Sequence, residues 1–146
     1  MHIEEINRDK RAQALKLVLD VFMQYEAPDY ATEGIDTFVN FLHDESQIDA
    51  LEMLGAYDGE KIVGVIATRG NGSHISLFFV DGALHRQGIG RQLFAEVLRR
   101  SPAQSISVNS SPFAVEAYRR LGFTPTGSEQ VRDGIRFTPM LYHRAA

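Results

Sequence analysis

Apolar residues recur along this 146-residue chain with two different periods. Met1 to Ile6 has the profile of a first strand. From Asn7 or Arg8 to about Gln24, the residues Ala14, Leu15, Val18, Leu19 and Phe22 fall three and four apart, which predicts an amphipathic helix. Ile35, Phe38, Val39 and Leu42 repeat that spacing and predict a second, shorter helix from Gly34 to His43, followed by a polar connection from Asp44 to Ala50. Tyr25 to Gly34, between the two helices, carries a proline, a glycine, tyrosines and carboxylates, and reads as an ordered loop.

The period then shortens. Glu52–Tyr57 and Lys61–Thr68 flank Asp58-Gly59, a hairpin signal, and Arg69 to Ser73 is a second turn. It leads into Ile75, Leu77, Phe78, Phe79 and Val80, a run too densely apolar for a strand with one wet face and therefore a central strand. Helical spacing returns with Ile89, Leu93 and Val97, flanked by Phe94 and Leu98, until Ser101-Pro102 stops the helix. Ser105–Asn109 is a short strand, parallel to the central one if the helix is a crossover. Ser111 as N-cap and Pro112 at the first helical position open another helix, carrying Phe113, Ala114, Ala117, Tyr118 and Leu121, which Gly122 ends. Strands from Phe123 to Val131 and Ile135 to Tyr142, joined by Asp133-Gly134, close an α/β mixture built on a meander rather than a doubly wound sheet.

The chemistry is concentrated between the central strand and its helix, in His85-Arg86-Gln87-Gly88-Ile89-Gly90-Arg91. Gly88 and Gly90 let backbone approach a ligand, and the helix start offers unpaired N–H groups with partial positive charge, to which Arg86 and Arg91 add formal charge. This is an anion cradle suited to a pyrophosphate, unless the glycines serve only a tight strand-to-helix turn. A dinucleotide fingerprint would need a glycine where Leu93 stands, and the Gly-Lys-Ser/Thr ending of a P-loop is absent.

The loop resembles the Arg/Gln-x-x-Gly-x-Gly/Ala motif of the GNAT superfamily of N-acetyltransferases, with His85 at the position usually held by Gln or Arg. Asn109 to Phe123 resembles the C-terminal motif of the same superfamily, with Ala114, Tyr118 and Gly122-Phe123 at its characteristic places and Ser111 where an Asn is usual. The resemblance implies a mostly antiparallel central sheet of about seven strands, with a splayed parallel pair at the CoA site and about four flanking helices. It implies direct transfer of an acetyl group from acetyl-CoA to a primary amine, on a small molecule or a peptide. The backbone of Phe78, Phe79 and Val80 would hold the pantetheine arm, residues His85 to Arg91 the pyrophosphate, and Asn109 or Ser111 would contact CoA. Tyr118 would lie near the thioester sulfur, to protonate or hydrogen-bond the leaving thiolate. An acceptor-side base is also required, and Glu26, Glu33 and His74 are the candidates, with Glu26 the working choice. The loop from Tyr25 to Gly34, with Glu26, Asp29 and Glu33, is expected to make one acidic wall of the acceptor site.

Composition narrows this picture without changing it. A net charge of −4, with basic residues dispersed, argues against nucleic acid as a partner. No apolar run approaches a membrane span, and a cytoplasmic location is the default expectation. Without cysteine the chain has no thiol nucleophile to carry an acyl group, and its dispersed histidines give no metal-ligand spacing. The length suits a single GNAT-like domain over residues 1–146, with homodimerisation left open. A non-catalytic acyl-CoA-binding module stands as the alternative to an enzyme.

Overall fold

The computed structural model describes residues 1–145. Eight strands form the sheet system: β1 (His2–Glu5), β2 (Glu52–Asp58), β3 (Lys61–Arg69), β4 (His74–Val80), β5 (Ser105–Ser110), β6 (Thr124–Pro125), β7 (Gln130–Arg132) and β8 (Ile135–His143). Their order is β1-β2-β3-β4-β5-β8-β6, with β7 pairing on β8. Every pairing is antiparallel except β4 with β5. Helices α1 (Arg11–Val21), α2 (Thr32–Leu42) and α3 (Glu45–Asp49) precede the meander, while α4 (Ile89–Arg100) and α5 (Val115–Leu121) come after β4 and β5 respectively.

Two apolar layers cover the sheet. On one face Val18 and Phe22 meet Val65, Leu77 and Phe79, with Phe38 and Phe41 of α2 packed against them. On the other, Leu93, Phe94 and Val97 of α4 and Tyr118 of α5 meet Ile66, Ile75 and Ile106. β4 is therefore covered on both faces, as its apolar density requires.

The one parallel pairing is short: β4 and β5 match only at His74↔Ser107 and Ile75↔Val108. Beyond Ile75 the strands part. Ser76 is the point of change, since Ala67 pairs with Leu77 and Thr68 with Ile75, leaving Ser76 as an extra residue in β4. A bulge bends a strand and re-aims its side chains, and here it coincides with the start of the splay.

Four expectations are corrected. Tyr25 to Gly34 is not a loop at its start: Phe22–Glu26 continues α1 as a π-helical turn and Ala27–Asp29 is a 3-10 turn before α2. The connection from Asp44 to Ala50 contains α3, which the Asp44 carboxylate caps by accepting from the Gln47 N–H at 3.3 Å and which Ile48 anchors in the core. Pro112 does not open α5. The Ser111 hydroxyl accepts from the Ala114 N–H at 3.2 Å and shapes a turn, and the helix starts at Val115. The strand read over Phe123–Val131 is two pieces, β6 and β7, separated at 126–129, which raises the strand count from about seven to eight. The Asp133-Gly134 turn forms as expected, with φ of 52° and 80°.

Candidate active site

The loop before α4 offers backbone rather than side chains. Gly88 holds the N-cap position with φ of 86°, a left-handed conformation that glycine adopts without penalty. Among the described residues, no N–H from Arg86 to Arg91 has an acceptor within the chain, and the first bond of the helix runs from Gln92 N to the Gly88 carbonyl at 3.0 Å. Several unpaired donors therefore lie at the positive end of the α4 dipole. Gly90 lies against the Phe78 ring, which a Cβ there would meet at 3.6 Å. Arg86 is exposed at the turn with φ of 65°, and Arg91 reaches across to the Arg120 carbonyl at 3.1 Å. Gln87 is exposed and Ile89 buried, so Ile89 contributes its backbone only.

His85 is turned away from this cradle. Its Nε2 bonds the Val80 carbonyl at 2.7 Å, and its ring packs on Tyr25 with centroids 4.8 Å apart. Tyr25 in turn touches Phe113, ring centroids 5.2 Å apart, so an aromatic bridge joins the π-helical turn after α1 to the loop after β4 and the turn before α5. The Val80 carbonyl is thereby occupied. Phe78 and Phe79 point to opposite faces, Phe78 against Tyr118 at 5.9 Å and Phe79 against Phe38 at 5.8 Å.

Where β4 and β5 part, a cavity of about 290 Å³ opens on the α1–α2 side and reaches through the splay to Phe78 and Tyr118 of the other layer. Glu26, from the π-helical turn, lines it together with Ser111, Tyr118 and Asn109. A π turn inserts one residue into a helix and rotates the residues after it, which here brings Glu26 to the cavity while Phe22 stays in the core. Burial pushes the Glu26 carboxyl up from 4.5 to about 7, Ser111 pulling back as a hydrogen-bond partner and Asp29 pushing further up. Tyr118 is buried and its phenol is raised well above 10.0, by burial first and the Glu26 charge second. No buried side-chain N or O atom among the described residues lacks a partner, and the Tyr118 hydroxyl bonds nothing in the chain, so that hydroxyl opens on the cavity. Tyr30 also lines it, its hydroxyl donating to the Arg136 carbonyl at 3.2 Å.

The other base candidates lie elsewhere. Glu33 is exposed on the first turn of α2, outside the cavity. His74 lines the far end, bonded through Nδ1 to the Ser107 hydroxyl at 2.8 Å, and is lowered from 6.5 to about 4 by burial and then by Arg69. Asp29 is exposed, and its carbonyl accepts from Arg136 at 3.1 Å. Sequence reasoning missed Thr37, Arg69 and Ser76, which line the cavity without belonging to any motif. Only the bulge at Ser76 could have signalled one of them, and a bulge is invisible before the strand register is known.

The short parallel β4–β5 pair that parts beyond Ile75 is the sheet layout that the resemblance implies. A family model described as an acetyltransferase (GNAT) domain matches residues 26–143. The chain belongs to the GNAT acetyltransferase family. Among curated relatives, the peptidyl-lysine N-acetyltransferase YjaB of Salmonella typhimurium is 34% identical over 71 residues, 48% of this chain and 49% of that protein. The match thus spans about half the relative's length. Solved GNAT structures superpose on nearly the whole chain. A GCN5-related N-acetyltransferase from Rhodopseudomonas palustris has a TM-score of 0.84 at 18% identity, covering 98% of this chain and 95% of that one. PaiA N-acetyltransferase from Thermoplasma acidophilum, crystallised with coenzyme A, has a TM-score of 0.74 at 15% identity over 99% of this chain and 100% of that one. At these identities the likeness is one of fold.

Proposed function

We propose that the chain is an acetyl-CoA-dependent N-acetyltransferase that moves the acetyl group directly to a primary amine seated in the α1–α2 cavity. The carrying observation is that Glu26, with a pKa of about 7, and the open hydroxyl of Tyr118 share that cavity at the point where β4 and β5 part. The unpaired N–H groups from Gln87 to Arg91 suit the pyrophosphate, and the unpaired edge of β4 at Phe78 and Phe79 suits the amide-rich pantetheine arm. PaiA binding CoA on the same fold supports this assignment.

Glu26 ionises near neutrality, so about half of it is free to accept a proton at neutral pH, and it is a stronger base than an ordinary carboxylate. The freed amine forms its bond to the acyl carbon, the C–S bond breaks with the electron pair leaving on sulfur, and the nitrogen gives up its second proton to solvent. Tyr118 then hydrogen-bonds the thiolate. Full proton donation is the poorer role, because a free phenol near 10 is already about 2 kcal/mol uphill from a thiol near 8.5, and burial widens the gap. The thiolate takes its proton from solvent, and the proton on Glu26 returns there. With no cysteine in the chain, transfer runs without a thioester on the protein.

The name of the Salmonella relative makes a peptidyl lysine one acceptor worth including. The test is a panel of lysine peptides and small primary amines incubated with acetyl-CoA and read by mass spectrometry. Acetylated amine should appear in step with released CoA and be absent without acceptor. CoA binding with no product from any amine would contradict the reading and favour a binding module.

A further inference from the structure

The cavity is electrically lopsided along its length. Of the described residues that line it, Glu26 is the one carboxylate and Arg69 the one permanent cation. Arg69 is exposed at the end of β3, paired with His74 across the strands, and makes neither a salt bridge nor a side-chain hydrogen bond among the described residues. His74, tethered to Ser107 and held neutral at physiological pH, adds no charge beside it. Between the two ends the wall is aromatic, with Phe22 stacked on Phe38 at 4.0 Å and Phe38 tilted against Phe79 at 5.8 Å. At about 290 Å³ the space lies near the lower limit of ligand pockets, which suits a small molecule.

The two ends can be spaced along β5 and the residue that follows it. Ser107 holds His74 beside Arg69, and Ser111, four residues on, is the neighbour of Glu26. Four residues of extended chain span about 13 Å. A ligand that reached both ends would therefore separate its charges by most of that length, with an apolar body between.

We propose that the acceptor is bipolar: a small molecule with a primary amine at the Glu26 end, an apolar middle against the Phe22–Phe38–Phe79 wall, and a carboxylate met by Arg69. This rests on the N-acetyltransferase reading for the amine end and extends it to the other. Arg69 is then a specificity-determining residue. A guanidinium is suited to a carboxylate because its planar fork matches both oxygens. Its freedom from internal partners leaves that fork available.

The test compares ω-aminooctanoate with ω-aminooctanol, which differ mainly in the terminal anion, on the wild type and on Arg69→Gln. Binding to the CoA-saturated protein is measured by calorimetry and acetyl transfer by CoA release. The wild type should prefer the carboxylate in both Kd and KM. Arg69→Gln should weaken that compound by about tenfold, with kcat and the amino alcohol little changed, as loss of one charge-assisted contact implies. The variant changes an exposed side chain, so folding is not at stake. Equal binding of the two compounds by the wild type, or equal loss of both in Arg69→Gln, would overturn the inference whatever the turnover. Charge-selective binding without turnover of any amine would uphold the bipolar site and contradict the acetyltransferase reading instead.

Discussion

On the α4 side of the splay the molecule presents backbone, and on the α1–α2 side it presents side chains. The first region is local: the open edge of β4, the left-handed Gly88 and the free N–H groups up to Arg91 all lie in one stretch of chain. The second is assembled from distant parts. Glu26 gains its neighbour Ser111 from the turn before α5, and the Thr37 hydroxyl donates to the Asp133 carbonyl at 2.6 Å. A backbone cradle depends on where glycines fall and so can be read from spacing. A pKa depends on who the neighbours are, and those are fixed only by the fold.

The largest expected effect separates the two regions most sharply. Tyr118→Phe should leave CoA affinity unchanged and lower kcat by about 10²- to 10⁴-fold, the usual scale for a group assisting proton or charge movement. Steady-state kinetics with a CoA titration beside them checks this, and an unchanged kcat with chemistry rate-limiting would make Tyr118 a packing residue. Gly34→Ala comes next. A Cβ there would run into the Gly134 carbonyl, where α2 crosses the β7–β8 turn, so overpacking should cost about 1–3 kcal/mol in urea unfolding. Acceptor KM should rise with it while CoA affinity holds.

Gly90→Ala is the mirror experiment. Its Cβ would make only ordinary contacts within the fold and alanine favours a helix, so stability should hold or rise slightly. CoA affinity should fall by about tenfold, the loss of roughly one contact at the pyrophosphate, while the α1–α2 cavity stays intact. Calorimetry of CoA binding and a thermal melt decide it together.

The remaining effect is on stability and depends on pH. The folded chain holds a proton on Glu26 up to about pH 7, whereas the unfolded chain releases it near 4.5. Folding stability from this group is therefore present at low pH and lost as pH rises between those values. Glu26→Gln removes that cost, so its Tm should exceed the wild type's at about pH 8 and match it at about pH 4.

The fold was legible in the sequence where local chemistry decides structure. The positions of β4, α4 and the Asp133-Gly134 turn could be read from apolar period and glycine placement, and the strand-to-helix loop from Gly88 and Gly90. It was illegible where tertiary contact decides. Phe22 to Glu26 has the profile of a helix end and a loop because the apolar spacing stops at Phe22, whereas the chain adds a π turn that lets Phe22 pack and Glu26 face the cavity. α3 was hidden because its single buried apolar residue, Ile48, carries no periodicity. Arg69 reads as part of a turn, since nothing in its neighbours says that α2 and β8 enclose the space before it.

The pH dependence of kcat/KM for one acetylated amine tests Glu26 as the acceptor-side base most directly. In the wild type the rate should rise with pH through about 7, as Glu26 loses its proton. In Glu26→Gln that limb should vanish, leaving a slower enzyme whose rate tracks only the ionisation of the amine. A limb of the same midpoint in both proteins would contradict the assignment.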